Sequence, residues 1–424
     1  MNNIYEIKTI PAISLQIFAE NTNVTTDEDL SENGRTYYSK YLIDIASPKL
    51  VHDQFGQKQP IPEGNGKTIE FRKYSPLPKL TKALTEGVTP DGQKLHVSKL
   101  TATVEQYGGF IELSDMLVLT SIDNNLLQAT KLLGSQAGRT LDTITREVLV
   151  GGTNVQYAGG KTARYQLTGG EDSDNCYLTV DQIKRVVRYL KAMNAEPMAD
   201  GYYVAIINQD CTYDLTNDPE WRYPHQYVDT ENIYSGEIGA IAGCRFVETS
   251  EGKIFHAEDL TAADGEDEGY RNLTVKAVSG KVITVGEKIT SAQADALGGR
   301  KIIVEDKLYT VNSATAGAAG SAKLNLDEDI TAAAGAIVYP GEAGAKGRDV
   351  YATIVLGENA YGTTEIDKGG LQHIIKQLGS AGTSDPLDQR ATAGWKATKV
   401  AKRLVEEYMV RIESCSTFND IGAN

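Results

Sequence analysis

The chain has 424 residues, of which 41% are hydrophobic and 23% are charged, and its formal net charge is −15. This composition excludes a disulfide miniprotein and a disordered tail, because the apolar residues suffice for two or three packed units. The surplus of acids argues against a basic nucleic-acid binder, since neutralising phosphates requires surplus Lys and Arg. No stretch approaches the roughly 20 apolar residues of a membrane helix, and we expect no secretory signal in the start MNNIYEIKTI.

The first 55 residues are predicted to form an N-terminal arm. They are polar and weakly periodic, with an Asn/Thr run at 21–26 followed by a short acidic run. A segment of this kind becomes ordered only against another surface. A short helix is predicted over 32–46, because Pro48 disfavours its continuation.

Residues 56–100 are predicted to form a long two-stranded hairpin. Residues 67–73 alternate with Ile69 and Phe71 on one face, and residues 100–105 alternate again on the return. The hairpin carries eight Lys/Arg against four acids. An isolated hairpin is marginal in water, and its charge favours docking on another copy of this acidic chain. The alternative is a solvated hairpin with ordinary surface lysines.

A long helix is predicted over 121–150. Apolar residues from Ile122 to Val148 recur every three or four positions and form one stripe. Ser121 is a suitable N-cap, and Gly151 and Gly152 end the helix. About 30 residues correspond to a rod of roughly 45 Å, which is typical of a helix against which a sheet packs.

An α/β pattern follows after residue 170. Thr179 and Gln182 have the spacing of a capping box at the start of a helix. Strands are predicted at 204–207, 244–249 and 351–356, and the first, an uninterrupted apolar run, is expected to be covered on both faces. Two C-terminal strands at 393–399 and 409–413, with Trp395 as a core anchor, are expected to pack with the hairpin's return strand and the long helix.

Residues 256–347 are predicted to be a β-rich domain inserted into the α/β pattern. Between residues 256 and 346 there are fourteen acids and nine Lys/Arg. The short β-like runs are 273–278, 281–285, 301–304, 307–311 and 336–339. Because the host pattern resumes at Asp349, the two ends of the insertion must lie close together.

Residue types that carry catalysis or metal binding do not cluster in the sequence. The five histidines lack HxH or HxxxH spacing, and the four cysteines lack CxxC spacing. Residues 64–68 have only part of a phosphate-loop motif. We therefore predict no catalytic residue, no metal site and no cofactor, and we interpret His52 and Asp53 as a solvated turn rather than an oriented base. A soluble enzyme of unknown class is the rival interpretation, and it requires a convergent cluster of titratable groups.

Nine segments carry a family resemblance. They are LVHDQFGQ (50–57), GNGKTIEFR (64–72), LTEGVTP (84–90), QYGGF (106–110), LDTITRE (141–147), GGK (159–161), DPEW (218–221), NIYSGEIG (232–239) and GWKA (394–397). Together they resemble the major capsid proteins of tailed bacteriophages, in particular the N-four-type family with the Hong Kong 97-like fold. The resemblance covers about 25–255 and 348–418, and the insertion lies outside it.

The resemblance implies an α+β protein with the Hong Kong 97-like phage capsid fold and an inserted β-rich domain. Its expected parts are an N-terminal arm (1–55), an E-loop hairpin (56–100), a P-domain (101–178) with a spine helix (121–150), an A-domain in two parts (179–255 and 348–381), the inserted domain (256–347) and C-terminal P-domain strands (382–424).

The resemblance also implies a function, which is assembly rather than catalysis. We expect the chain to be a major capsid protein. Such a protein forms the hexamers and pentamers of an icosahedral shell around the double-stranded DNA of a tailed phage or prophage. Its location would be the virion, after assembly in the bacterial host cytoplasm. Expected partners are other copies of the chain, a portal protein, a scaffolding protein, in some cases a decoration protein, and packaged DNA without sequence-specific binding, with no membrane. The alternative is the shell of an encapsulin-like nanocompartment.

The hairpin supplies the candidate intersubunit contacts. The basic residues are expected to form charge pairs, and the two apolar residues are expected to dock on the neighbour: Lys67, Arg72, Lys73 and Lys79, with Ile69 and Phe71.

Overall fold

The computed structural model describes most of the chain. The described residues are 50–60, 67–74, 77, 79–81, 83, 92–120, 125–170, 175–225, 237–365, 371–378, 380 and 387–418. The predicted arm before residue 50, with its helix over 32–46, and the predicted N-cap Ser121 lie outside the described residues.

Strands and helices alternate irregularly along the described residues. The strands are β1 (Gln57–Gln59), β2 (Thr68–Tyr74), β3 (Val97–Thr103), β4 (Glu105–Ser114), β5 (Val155–Tyr157), β6 (Tyr203–Asn208), β7 (Glu237–Ile241), β8 (Cys244–Thr249), β9 (Ile254–Phe255), β10 (Leu273–Ser279), β11 (Val282–Val285), β12 (Lys301–Val304), β13 (Lys307–Thr315), β14 (Lys323–Leu326), β15 (Ile337–Pro340), β16 (Val350–Leu356), β17 (Tyr361–Thr364), β18 (Leu371–Lys376), β19 (Arg390–Lys399), β20 (Ala401–Arg403) and β21 (Met409–Ser414). The helices are α1 (Asp115–Thr120), α2 (Asn125–Val150), α3 (Val180–Ala192), α4 (Gln209–Asn217), α5 (Pro219–His225) and α6 (Ser291–Leu297).

The chain divides into two compact units. The described residues of the smaller unit lie within 108–134 and 372–396. It contains a sheet with the strand order β18-β19-β4, together with helix α1 and the start of helix α2. Trp395 is buried there, as predicted, and Gly108 allows a close approach, since a Cβ at this position would lie 2.7 Å from the Trp395 carbonyl oxygen.

The described residues of the larger unit lie within 50–107, 135–371 and 397–418. Its main sheet has the order β5-β21-β16-β6-β8-β7, with β9 also paired to β16. All residues of β6 are buried, which confirms the prediction of a strand covered on both faces. Helix α3 begins after Thr179, whose side chain accepts a hydrogen bond from the Gln182 amide. Its predicted apolar face is buried in the core: Ile183, Val186, Val187 and Leu190.

One C-terminal strand lies elsewhere than expected. Strand β21 pairs antiparallel with β16, from Tyr351 opposite Ser414 to Leu356 opposite Met409. The prediction that this strand packs with the hairpin's return strand was therefore wrong. Five of its six residues are buried, and such a strand suits the interior of a sheet covered on both faces.

The insertion forms a closed barrel of six strands in the order β10-β11-β14-β13-β12-β15. Each of the five predicted strands is present, whereas β14 and helix α6 were not predicted. The barrel has a core of its own, formed mainly by Leu, Ile and Val side chains. Phe255, just before the insertion, is paired with Val350, just after it. The two ends therefore lie side by side, as expected.

The predicted long helix is present as α2, which ends at Val150 before Gly151 and Gly152. Its buried stripe includes Leu133, Ala137 and Leu141, in agreement with the predicted periodicity. None of the helices in the described part of the chain combines the length and hydrophobicity needed to cross a bilayer.

Candidate assembly surface

The hairpin predicted from residue alternation is present as β2 and β3. The strands pair antiparallel from Thr68 opposite Thr103 to Tyr74 opposite Val97. Because successive side chains of a strand point to opposite faces, Ile69 and Phe71 share one face. The opposite face is polar, and on it Lys99 Nζ lies 3.5 Å from Glu70 Oε2.

The apolar face of the hairpin packs on its own chain. Ile69 and Phe71 are buried, the latter with only 1% of its surface exposed. They pack with Val400 and Leu404, and the Phe71 ring lies directly over Gly362. These two side chains were candidates for apolar docking on a neighbour. The structure corrects that expectation, because their apolar surface is already covered within the chain.

The distal part of the hairpin has a different surface. Leu80 and Leu95 are 82% and 72% exposed, and Leu77 and Val97 are also exposed. Large apolar side chains exposed together are a feature of interaction surfaces. The sequence contained these leucines, but they fall between prolines and lysines without strand or helix periodicity. Only the folded hairpin distinguishes its covered half from its uncovered half.

The predicted cations lie along the same hairpin. Lys67, Arg72 and Lys79 are exposed, and the side chain of Lys73 lies outside the described residues. Lys94, close to Leu95, is exposed as well. Apolar and basic groups are therefore both exposed along the hairpin, a composition that suits an acidic partner with apolar side chains.

A buried polar network holds the turn that precedes the hairpin. His52 is 1% exposed, its amide donates to Asp142 Oδ1 over 2.7 Å, and its Nδ1 lies 2.7 Å from Asp142 Oδ2. Tyr361 donates its hydroxyl hydrogen to the carbonyl oxygen of His52. The interpretation of His52 and Asp53 as a solvated turn was wrong. Their partners lie some 90 and 310 positions away in the chain, so no local pattern indicated the burial.

Asp53 forms the centre of this network. Its Oδ1 atom accepts hydrogen bonds from Thr363 Oγ1 over 2.7 Å and from Thr145 Oγ1 over 3.1 Å. The same oxygen forms an ion pair with Nζ of Lys399, whose side chain is fully buried. Charge, hydroxyl donors and burial together fix the turn onto helix α2, strand β17 and the end of β19.

Burial and charge shift the pKa values of two members of the network. Burial lowers the pKa of the Lys399 ammonium group, and the Asp53 carboxylate opposes part of that effect. Burial, with the nearby charge of Asp53, raises the pKa of the Tyr361 hydroxyl well above its ordinary value. Tyr361 therefore remains a hydrogen-bond donor at neutral pH. The hydrogen bonds and the ion pair described for this network all join groups of the chain itself, and its role is structural.

A second buried ionic group lies where the barrel joins the main sheet. Arg164 forms a bidentate pair with the buried Glu413, both contacts measuring 2.7 Å. Its guanidinium carbon lies 3.3 Å from the centre of the Phe255 ring. Arg411 also binds Glu413 over 2.9 Å and donates to carbonyl oxygens of Val150 and Gly152 at the end of helix α2. The group thus joins strand β9, which leads into the barrel, to strand β21 of the main sheet and to the end of helix α2.

The four cysteines are free and buried, in agreement with their interpretation as small core residues. Burial raises the pKa of the Cys415 thiol to about 12, so it is protonated at neutral pH. Within the residues that the structure describes, no three His, Cys, Asp or Glu side chains converge in a way that could hold a metal ion.

Comparison with known proteins shows which proteins this chain is similar to. Residues 119–308 match the family model described as phage capsid protein. The fold is similar to the capsid of Ralstonia phage GP4, with a TM-score of 0.52 and 11% identity over 87% of this chain and 88% of that chain. The head structure of Helicobacter pylori bacteriophage KHP40 has a TM-score of 0.47, with 11% identity over 84% and 86% of the two chains. The capsid of cyanophage P-SCSP1u has a TM-score of 0.46, with 9% identity over 85% and 87%. No curated protein matched the sequence.

These findings confirm the predicted resemblance to phage capsid proteins and the mixed helix and strand content of a phage capsid fold. At 11% identity the likeness to the Ralstonia phage capsid shows the fold alone. The family match and the fold show a similarity to phage capsid proteins, which are structural components of viral shells. That class is not known as enzymatic.

Proposed function

We propose that this chain is the major capsid protein of a tailed phage or prophage. It forms hexamers and pentamers, which close into an icosahedral shell around double-stranded DNA. The family match over residues 119–308 carries this proposal. In the Hong Kong 97-like arrangement, residues 56–100 are the E-loop, and the A-domain comprises 179–255 and 348–381.

The hairpin is the part that joins one copy to the next. Its distal half presents exposed leucines beside exposed lysines, while the chain as a whole has a net charge of −15. Burying this surface on a second copy removes apolar area from water and brings basic groups to an acidic partner. Single contacts of this kind are modest, but a copy in a closed shell leaves only by breaking several at once.

The charge of the chain bears on its partners. An acidic shell repels DNA, so the genome enters through work supplied from outside, which requires a portal with a packaging motor. A separate scaffolding protein guides closure, and a decoration protein is a further partner where one is present. Lys67, Arg72, Lys73 and Lys79 remain the proposed sites of charge pairing between copies.

Deletion of residues 76–94 tests the role of the hairpin. The deletion removes Leu77 and Leu80 and leaves the covered residues Ile69 and Phe71 in place. We expect a folded subunit, with circular dichroism like that of the wild type, that forms no closed particles in electron microscopy. Normal particles from the deletion variant would refute the proposed role.

A single charge on the exposed patch gives a sharper test. We expect Leu80→Asp to lower the yield of particles at least about tenfold, because a carboxylate in an apolar contact costs more than 1.4 kcal/mol in each copy. Lys323→Asp, on the exposed side of the barrel, is a control that changes charge away from the hairpin. Analysis of what native particles contain distinguishes the two kinds of shell. A phage shell contains DNA, whereas an encapsulin-like shell contains an enzyme.

A further inference from the structure

We propose that Gly362 is a positioning residue for assembly. The space left by its missing side chain seats the Phe71 ring, and this seat fixes the direction in which the hairpin leaves the body of the subunit. The inference rests on the proposed role of the hairpin as the joint between copies.

Strand β17 contacts a different partner on each side. Tyr361 and Thr363 bind the turn at His52 and Asp53. Gly362, between them, lies under the hairpin residue Phe71, as the alternation of side chains along a strand requires. β17 is the middle strand of a three-stranded sheet, between β1 and β20. A strand held by two neighbours and by a buried ionic network cannot readily move aside to relieve a clash.

The glycine is required for space rather than for backbone conformation. Gly362 is not one of the residues with a positive φ angle. A Cβ atom built there would lie 2.3 Å from Cε1 and 2.6 Å from Cδ1 of Phe71, whereas ordinary contact begins near 3.4 Å. An alanine therefore pushes the ring outward by about 1 Å.

A displacement of this size matters because the hairpin acts as a lever. Phe71 lies two residues, or about 7 Å, from Ile69 along the strand. If Ile69 stays in place and Phe71 moves by about 1 Å, the strand rotates by about 8°. At the far end of an extended hairpin about 30 Å long, the same rotation gives a displacement of about 4 Å. That exceeds the tolerance of a packed apolar contact, in which a gap of 1 Å already forfeits much of the attraction.

Closed shells amplify such an error. A contact between unlike surfaces of identical copies forms a closed ring only if the rotation between copies closes. The seat of the hairpin determines that rotation in every copy. Changing the seat therefore alters particle size or prevents closure, although each subunit still folds.

The experiment uses three variants of the full chain. Gly362→Ala introduces the clash. Gly298→Ala is the matched control, because it adds the same methyl group in the barrel rather than in the hairpin, at a residue with a negative φ angle, where a Cβ would meet only the Asp295 carbonyl oxygen at an ordinary 3.4 Å. The double variant with Phe71→Leu and Gly362→Ala removes the ring and restores the space. Melting temperature reports folding, and electron microscopy reports the yield and diameter of particles.

We expect Gly362→Ala to fold but to lower the yield of wild-type-sized particles about tenfold, equivalent to about 1.4 kcal/mol at each joint. Gly298→Ala is expected to assemble normally, and the double variant is expected to recover particles of wild-type diameter. If Gly362→Ala fails to fold, recovery of folding and of particles by the double variant still supports the proposed contact between Phe71 and Gly362.

Two results would overturn the inference: wild-type particles from Gly362→Ala, or a folded double variant that remains defective. If Gly362→Ala gives wild-type particles while deletion of 76–94 abolishes them, the positioning role of Gly362 is refuted and the proposed role of the hairpin stands. Normal particles from that deletion would refute the proposed function.

Discussion

The buried pair of Lys399 and Asp53 gives the most demanding test of the structure. Replacing Lys399 with Met removes the cation and keeps most of the buried volume. Asp53 then retains two hydroxyl donors, Thr363 and Thr145, but its carboxylate stays buried without a compensating charge. Removing one partner of a buried ion pair costs about 3–5 kcal/mol. At about 2 °C for each kcal/mol in a chain of this size, the melting temperature is expected to fall by roughly 6–10 °C.

The double variant separates charge from packing. Adding Asp53→Asn to Lys399→Met removes the stranded charge, and a neutral replacement of a buried pair is often nearly as stable as the pair itself. We expect the double variant to recover all but about 1 kcal/mol, measured by urea denaturation followed by circular dichroism. Lys402→Met, at an exposed position just beyond Lys399, is the control and is expected to change stability by less than about 0.5 kcal/mol.

The result that would refute this reasoning is specific. A Lys399→Met variant within about 1 kcal/mol of the wild type would mean that the pair is not buried as the structure has it. A double variant no more stable than Lys399→Met would mean that the loss came from packing rather than from an uncompensated charge.

Two further predictions concern pH and the barrel. Burial raises the thiol pKa values of Cys211, Cys244 and Cys415 above the ordinary 9.0, so above about pH 9 the unfolded chain releases protons that the folded chain keeps, and stability falls as pH rises. The three thiols together are expected to cost about 2 kcal/mol per pH unit, averaged over pH 8 to 10, and the lowered pKa of the Lys399 ammonium group opposes part of that loss. Denaturation at pH 8 to 10 measures the loss, and an equal slope in a triple Cys→Ala variant would contradict it. Residues 256–348, expressed alone, are expected to melt cooperatively because the barrel has its own core; a non-cooperative melt would show that the barrel depends on the host sheet.

Local patterns in the sequence determined most of the secondary structure. The alternation at Lys67–Lys73 specified one strand of the hairpin, and the run from Cys244 to Thr249 specified a strand with the observed bounds. The stripe of the long helix and the five strands predicted in the insertion were also found. These elements are set by residues close to one another in sequence, because period and capping are local properties. Helix α6 was missed although Thr290 and Gln293 form a capping box at its start.

The tertiary structure alone decided which surfaces are covered. Ile69 and Phe71 looked like contacts for a neighbour, yet the chain covers them itself, whereas Leu80, which has no periodic pattern, is the exposed group. His52 and Asp53 looked like a polar turn, yet they form a buried network. The physical reason is the same in each case. Strand or helix periodicity indicates which side chains share a face. The partners that bury these groups lie from 90 to about 310 positions away in the chain, and only the fold brings them there.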